Sequence, residues 1–113
     1  MTPIHYIELY SPDLEKVKAF YSACFGWEFT DYGPGYTAFS KSGVEGGFEK
    51  IDGEVVNGAL VVLHHDNLEE IYEVVLANGG TISKEIFSFP GGRRFEFFDP
   101  VGNLLAVWTE IKA

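Results

Sequence analysis

The chain has 113 residues, which is one ordinary domain and too few for two separate cores of normal size. Apolar residues make up 46% and charged residues 22%, a globular composition, and the formal net charge of −9 disfavours nucleic acid or anionic lipid as a partner. Cys24 is the single cysteine, so a disulfide framework and a Cys-rich zinc site are excluded, and with no membrane-length apolar run and no signal-peptide pattern a soluble cytoplasmic protein is expected.

From Ile4 to Tyr10 the β-branched and aromatic residues predict a strand. Ser11-Pro12-Asp13 breaks it and supplies helix-starting chemistry. Leu14, Val17, Phe20, Tyr21 and Cys24 then recur at helical spacing, and Gly26 ends the helix. On this face Cys24 reads as a small buried hydrophobe. Strand-like runs follow at Trp27 to Thr30, Tyr36 to Ser40 and Val44 to Glu49, punctuated by Gly33-Pro34-Gly35 and Ser42-Gly43. Gly46-Gly47 in the last run marks a bulge or a close approach of backbone or ligand.

The pattern then restarts. Ala59 to His64 is an apolar strand, and Asp66 with Glu69 three residues later resembles a capping box. Leu68, Ile71, Tyr72, Val75 and Leu76 form one helical face closed by Gly79-Gly80. Strands are predicted at Thr81 to Ile86, Arg94 to Phe98 and Leu104 to Thr109. Asp13 and Asp66 lie 53 residues apart, as do Gly26 and Gly79, which argues for an internal repeat. The expected fold is α+β: one domain over 1–113 built from two βαβββ modules, about 1–49 and 58–113, with a hinge at 50–57.

Asp13-Leu14-Glu15, Ala19-Phe20-Tyr21 and Phe25-Gly26-Trp27 in the first half resemble the glyoxalase / bleomycin-resistance / extradiol dioxygenase superfamily, the vicinal oxygen chelate proteins. Leu76-Ala77-Asn78-Gly79-Gly80 and Phe98-Asp99-Pro100-Val101-Gly102-Asn103 extend the resemblance through the second half. It implies paired βαβββ modules whose strands curve into a cup with the helices outside, and a homodimer. It also implies four inward-facing ligand positions for a divalent ion. In this chain they fall at Tyr6, Ala59, Ala106 and a place around Gly46 to Phe48 flanked by Glu45 and Glu49. Alanine cannot bind a metal and a phenol is a poor ligand unless ionised, so no metal and no cofactor are expected at these positions.

Strand alternation sorts the remaining candidates. Tyr6, Glu8 and Tyr10 share a face, with Ile7 and Leu9 on the other. Ala59, Val61 and Leu63 are expected on the corresponding face of the second half, as are Leu104, Ala106 and Trp108 on the last strand. The ligand-binding set is therefore Tyr6, Glu8, Tyr10, Ala59, Ala106 and Trp108, with Arg94 at the rim to hold a ligand carboxylate. Glu8 is the one candidate acid or base. His5 falls on the face opposite Tyr6, and His64-His65 reads as a strand end beside a helix cap. Asp99-Pro100-Val101-Gly102-Asn103 reads as a tight turn.

Aromatic side chains make up 16% of the chain. Phe20, Tyr21, Phe25 and Trp27 are placed where a helix meets its sheet, and Tyr6, Tyr10 and Trp108 in the cup. The function expected is metal-independent binding of an aromatic or apolar small molecule. The alternatives are a metal-dependent lyase or dioxygenase with a non-standard site using His5 or Glu8, and an accessory domain whose cup is only core.

Overall fold

Asp13 stops the first strand and starts the first helix: its carboxylate accepts the Lys16 N–H at 3.1 Å while Ser11 Oγ accepts the Asp13 N–H at 2.9 Å. In the computed structural model, which describes residues 1–111, this turn joins β1 (Tyr6–Ser11) to α1 (Leu14–Phe25). Gly26 ends α1 in the left-handed region, φ 73°, and its N–H bonds back to Ser22 O at 3.0 Å. Three strands follow, β2 (Glu28–Asp31), β3 (Tyr36–Ser40) and β4 (Glu45–Lys50). The sheet order is β1-β4-β3-β2, with β1 and β4 parallel and the other pairs antiparallel.

The second module repeats this plan with β5 (Val61–His64), α2 (Leu68–Ala77), β6 (Thr81–Phe89), β7 (Gly92–Phe98) and β8 (Leu104–Glu110). Its sheet order is β5-β8-β7-β6, with β5 and β8 parallel. The chain divides into two compact units, 1–56 and 57–113, and each is a βαβββ module with its own four-stranded mixed sheet. Asn57 is tied to the second unit by hydrogen bonds to Gly102 O and from Leu104 N–H, both 2.9 Å. Among the described residues no helix is long and apolar enough to cross a membrane.

Each helix covers one face of its own sheet. Val17, Phe20, Tyr21 and Cys24 are buried on α1, and Phe39 and Phe48 are buried on the sheet beneath. Tyr21 stacks on Trp27 at 4.7 Å between ring centroids and meets Phe48 at 5.3 Å, so the aromatic shell lies between helix and sheet as predicted. Burial pushes the Cys24 thiol up to about 11, which keeps it protonated and unreactive. In the second unit Leu68, Ile71 and Val75 of α2 are buried, as are Phe95, Phe97, Leu105 and Val107 of β7 and β8.

Three expectations need correction. The cap of α2 is Asn67, not Asp66: Asn67 Oδ1 accepts the Glu70 N–H at 3.1 Å. His65 Nδ1 accepts the Asn67 N–H at 3.0 Å, repeating the role of Ser11 in the first module. The helix starts are therefore 54 residues apart rather than 53. Second, β5 begins at Val61, and Ala59 lies exposed in a bend before it. Third, the face assignment of β5 reverses. Val61 and Leu63 pair with the buried Leu105 and Val107, while Val62 and His64 pair with Ala106 and Trp108. Pro90-Gly91 forms a tight hairpin turn, since Phe89 pairs directly with Gly92.

The cap assignment is directly testable. Asn67→Ala should lower stability by about 1 kcal/mol, whereas Asp66→Ala should stay within about 0.5 kcal/mol. Urea unfolding of both variants checks this, and the reverse ranking would return the cap to Asp66.

The Asp-Pro turn between β7 and β8 is held by Asp99. Its buried carboxylate accepts the N–H of Val101 at 3.0 Å and of Asn103 at 2.8 Å, and the Asn103 amide at 2.9 Å. Gly102 takes φ 103°, a conformation that disfavours any other residue.

Candidate functional site

The face of the first sheet away from α1 follows from the β1–β4 register. Tyr6, Glu8 and Tyr10 stand beside Glu45, Gly47 and Glu49, and the next strand adds Tyr36 and Ala38. The predicted alternation of β1 holds: Tyr6 and Tyr10 are exposed, while Ile7 and Leu9 are half-buried on the helix side. His5 lies before β1 and is exposed.

Tyr36 is the residue the alternation reading missed. Its hydroxyl is 2.6 Å from the Tyr6 hydroxyl and interacts with the Glu8 carboxylate. A Cβ on Gly47 would collide with the Tyr36 ring and hydroxyl, so the ring crosses β4 over a residue that has no side chain. Burial, followed by the hydrogen bonds to Tyr6 and Glu8, raises the Tyr36 phenol well above its ordinary range, so it stays protonated and donates. Beside this group an open groove of about 510 Å³ is lined by Tyr6, Thr30, Tyr32, Ala38, Ser40 and Glu45.

In the second module, Arg94 stands across from Trp108 on the face away from α2. Its guanidinium binds Glu96 at 3.0 Å and lies 5.4 Å from the Phe87 ring centroid, while its Nε is buried without a hydrogen-bond partner. Arg93 points to the other face and grips Glu69 of α2 through two bonds, 2.5 and 3.1 Å, which hold that carboxyl below its usual range. Ala106 shares the Arg94 face but is fully buried between Val62 and Glu96. His64 lies on this face too, edge-on to Trp108 at 5.4 Å, with Nε2 2.5 Å from Glu110 Oε2.

Paired βαβββ modules define a class of proteins, and the comparisons agree on which. Residues 3–107 match the sequence model of the Glyoxalase/Bleomycin resistance protein/Dioxygenase superfamily. A glyoxylase-like domain-containing protein of Didymella fabae is 31% identical over 115 aligned positions, covering 91% of this chain and 90% of that protein. The chain belongs to this superfamily.

Two solved structures share the fold. A glyoxalase/bleomycin resistance protein/dioxygenase family enzyme from Burkholderia phytofirmans PsJN superposes with TM-score 0.82 at 16% identity, covering 94% of this chain and 97% of that one. The genomically encoded fosfomycin resistance protein FosX from Listeria monocytogenes gives TM-score 0.82 at 21% identity, covering 98% and 95%.

The repeated register fixes the metal-ligand positions that the family resemblance implies. Tyr6 lies seven residues before the cap Asp13, so its counterpart before Asn67 is Leu60, not Ala59. Glu8 pairs with Gly47 and Val62 pairs with Ala106 at equivalent rungs, so Gly47 is the counterpart of Ala106. Tyr6 and Gly47 in one module, and Leu60 and Ala106 in the other, offer neither imidazole nor carboxylate. This donor set does not fit a chelated divalent ion.

Proposed function

We propose that this protein binds an aromatic or otherwise apolar small molecule without the family's chelated metal, on the exposed face of the first sheet. The observation that carries the reading is the Tyr6–Tyr36 hydroxyl pair, with Glu8 next to it, beside the 510 Å³ groove. Tyrosine rings supply flat apolar wall, and hydroxyls fixed at one end give a ligand oxygen something to meet. The phenol of Tyr36 stays protonated, so it keeps a proton to donate, and the Glu8 carboxylate next to it is an acceptor. The donor set at the family's metal positions supports the same reading.

The test is a thermal-shift and calorimetric screen of flat phenols and aromatic acids with EDTA present throughout. A ligand that binds only the folded state raises Tm, and the gain grows with the logarithm of its concentration over Kd. Tyr6→Ala should weaken binding about tenfold or more, through lost ring contact, and Tyr36→Phe by about three- to tenfold, through one lost hydrogen bond. A screen in which no compound raises Tm in EDTA sinks the proposal. Binding that appears only after a divalent metal is restored would favour a metal-dependent lyase or dioxygenase instead.

A further inference from the structure

We propose that His64, Asp66 and Glu110 form a site for one transition-metal dication of the Zn²⁺ or Ni²⁺ kind, separate from the positions at which the family chelates its ion. One donor atom from each of the three side chains lies within 4.8 Å of the other two. Two are on neighbouring parallel strands: His64 ends β5 opposite Trp108, and Glu110 follows two residues later on the same face of β8. Asp66 comes from the turn into α2.

The backbone around the cluster is pinned. The His65 N–H bonds to Trp108 O at 3.1 Å, and the Asn67 N–H bonds to the His65 ring at 3.0 Å, which bends the chain so that Asp66 returns towards β8. The Ile111 N–H bonds to Gly91 O at 3.0 Å and holds the end of β8. Edge-on packing against Trp108 sets the His64 ring with Nε2 towards Glu110. The donors thus converge through local structure, with little ordering left for the ion to impose.

The chemistry selects the ion. Two carboxylates carry the negative charge that a dication neutralises, and oxygen donors alone would suit Ca²⁺ or Mg²⁺. Adding an imidazole shifts preference to Zn²⁺ or Ni²⁺. Such an ion takes nitrogen and oxygen donors at about 2.0–2.2 Å, so it would replace the direct His64–Glu110 contact by bridging the two groups. His64 and Glu110 are 43% and 40% exposed, so the ion can enter from solvent and keep water in its open positions.

Chelator-stripped protein titrated calorimetrically with ZnCl2 or NiCl2 should bind one ion per chain and gain Tm, with MgCl2 and CaCl2 giving far weaker binding. His64→Gln and Glu110→Gln should each weaken Zn²⁺ binding roughly 100-fold, and Asp66→Asn at least about tenfold. His5→Gln should leave it within about threefold of the wild type. Nitrogen-15 NMR of the wild-type histidines, which needs no variant to fold, should show the largest Zn²⁺-induced shift at His64 Nε2. No heat and no Tm gain overturns the proposal, as does Zn²⁺ binding that survives both His64→Gln and Glu110→Gln or an NMR shift centred on His5. Aromatic-ligand binding in EDTA is unaffected by these outcomes, so the two proposals fail independently.

Discussion

Tyr21→Ala should destabilise the protein by about 4 kcal/mol, a typical cost for deleting a buried aromatic ring. Tyr21 has no exposed surface and is the hub of the aromatic shell. Its ring meets Phe20 at 5.0 Å, Trp27 at 4.7 Å, Phe48 at 5.3 Å and Phe25 at 5.9 Å. Removing it opens a cavity among rigid neighbours that cannot collapse inward, and it breaks several aromatic pairs at once. A loss of this size is a large share of a typical 5–15 kcal/mol total. Urea unfolding followed by near-UV circular dichroism measures it. A loss under about 1.5 kcal/mol would show that the ring cluster is looser than its geometry states.

Gly46→Ala should cost about 3 kcal/mol or leave the first module unfolded. A Cβ there would run into the Ile7 carbonyl oxygen and the Phe39 ring. Neither obstacle yields easily. Ile7 is the cross-strand neighbour of Gly46 in the parallel β1–β4 ladder, and Phe39 is packed in the core at 4% exposure. Gly47→Ala makes the informative contrast. The atoms nearest its Cβ all belong to the Tyr36 side chain, which can swing off the outer face. That variant should lose far less stability but should weaken aromatic-ligand binding like Tyr36→Phe. Equal stability losses in the two variants would contradict this division of roles, and the unfolding midpoints decide it.

The two neighbouring glycines show what a one-dimensional reading reaches. Gly46-Gly47 in a strand pattern signals a close approach of something. Which glycine meets backbone and which meets a tyrosine depends on β4 lying between β1 and β3, an order set by pairing far along the chain. Tyr36 was missed for the same reason. It lies 30 residues from Tyr6, and only the sheet order lays its ring across Gly47 to reach Tyr6 and Glu8.

The cap of α2 shows a different limit. Asp66 and Asn67 are both good capping residues, and local chemistry does not choose between them. The choice matters because strand side chains alternate with period two, so a one-residue slip exchanges the two faces of β5. Taking Asn67 as the cap moves His64 onto the face of Trp108 and Glu110 and turns Leu63 inward.

By itself the sequence determined the elements, the repeat of two βαβββ modules, the aromatic shell between helix and sheet, and the outward face of β1. These follow from periodicity, caps and glycines, which act over a few residues. Only the tertiary structure decided which side chains meet. The Tyr6–Tyr36–Glu8 group, the Arg94–Glu96 pair over Phe87 and the His64–Asp66–Glu110 cluster each require strand order and register. Hydrogen bonding between strands distant in sequence sets that register, and no local pattern encodes it.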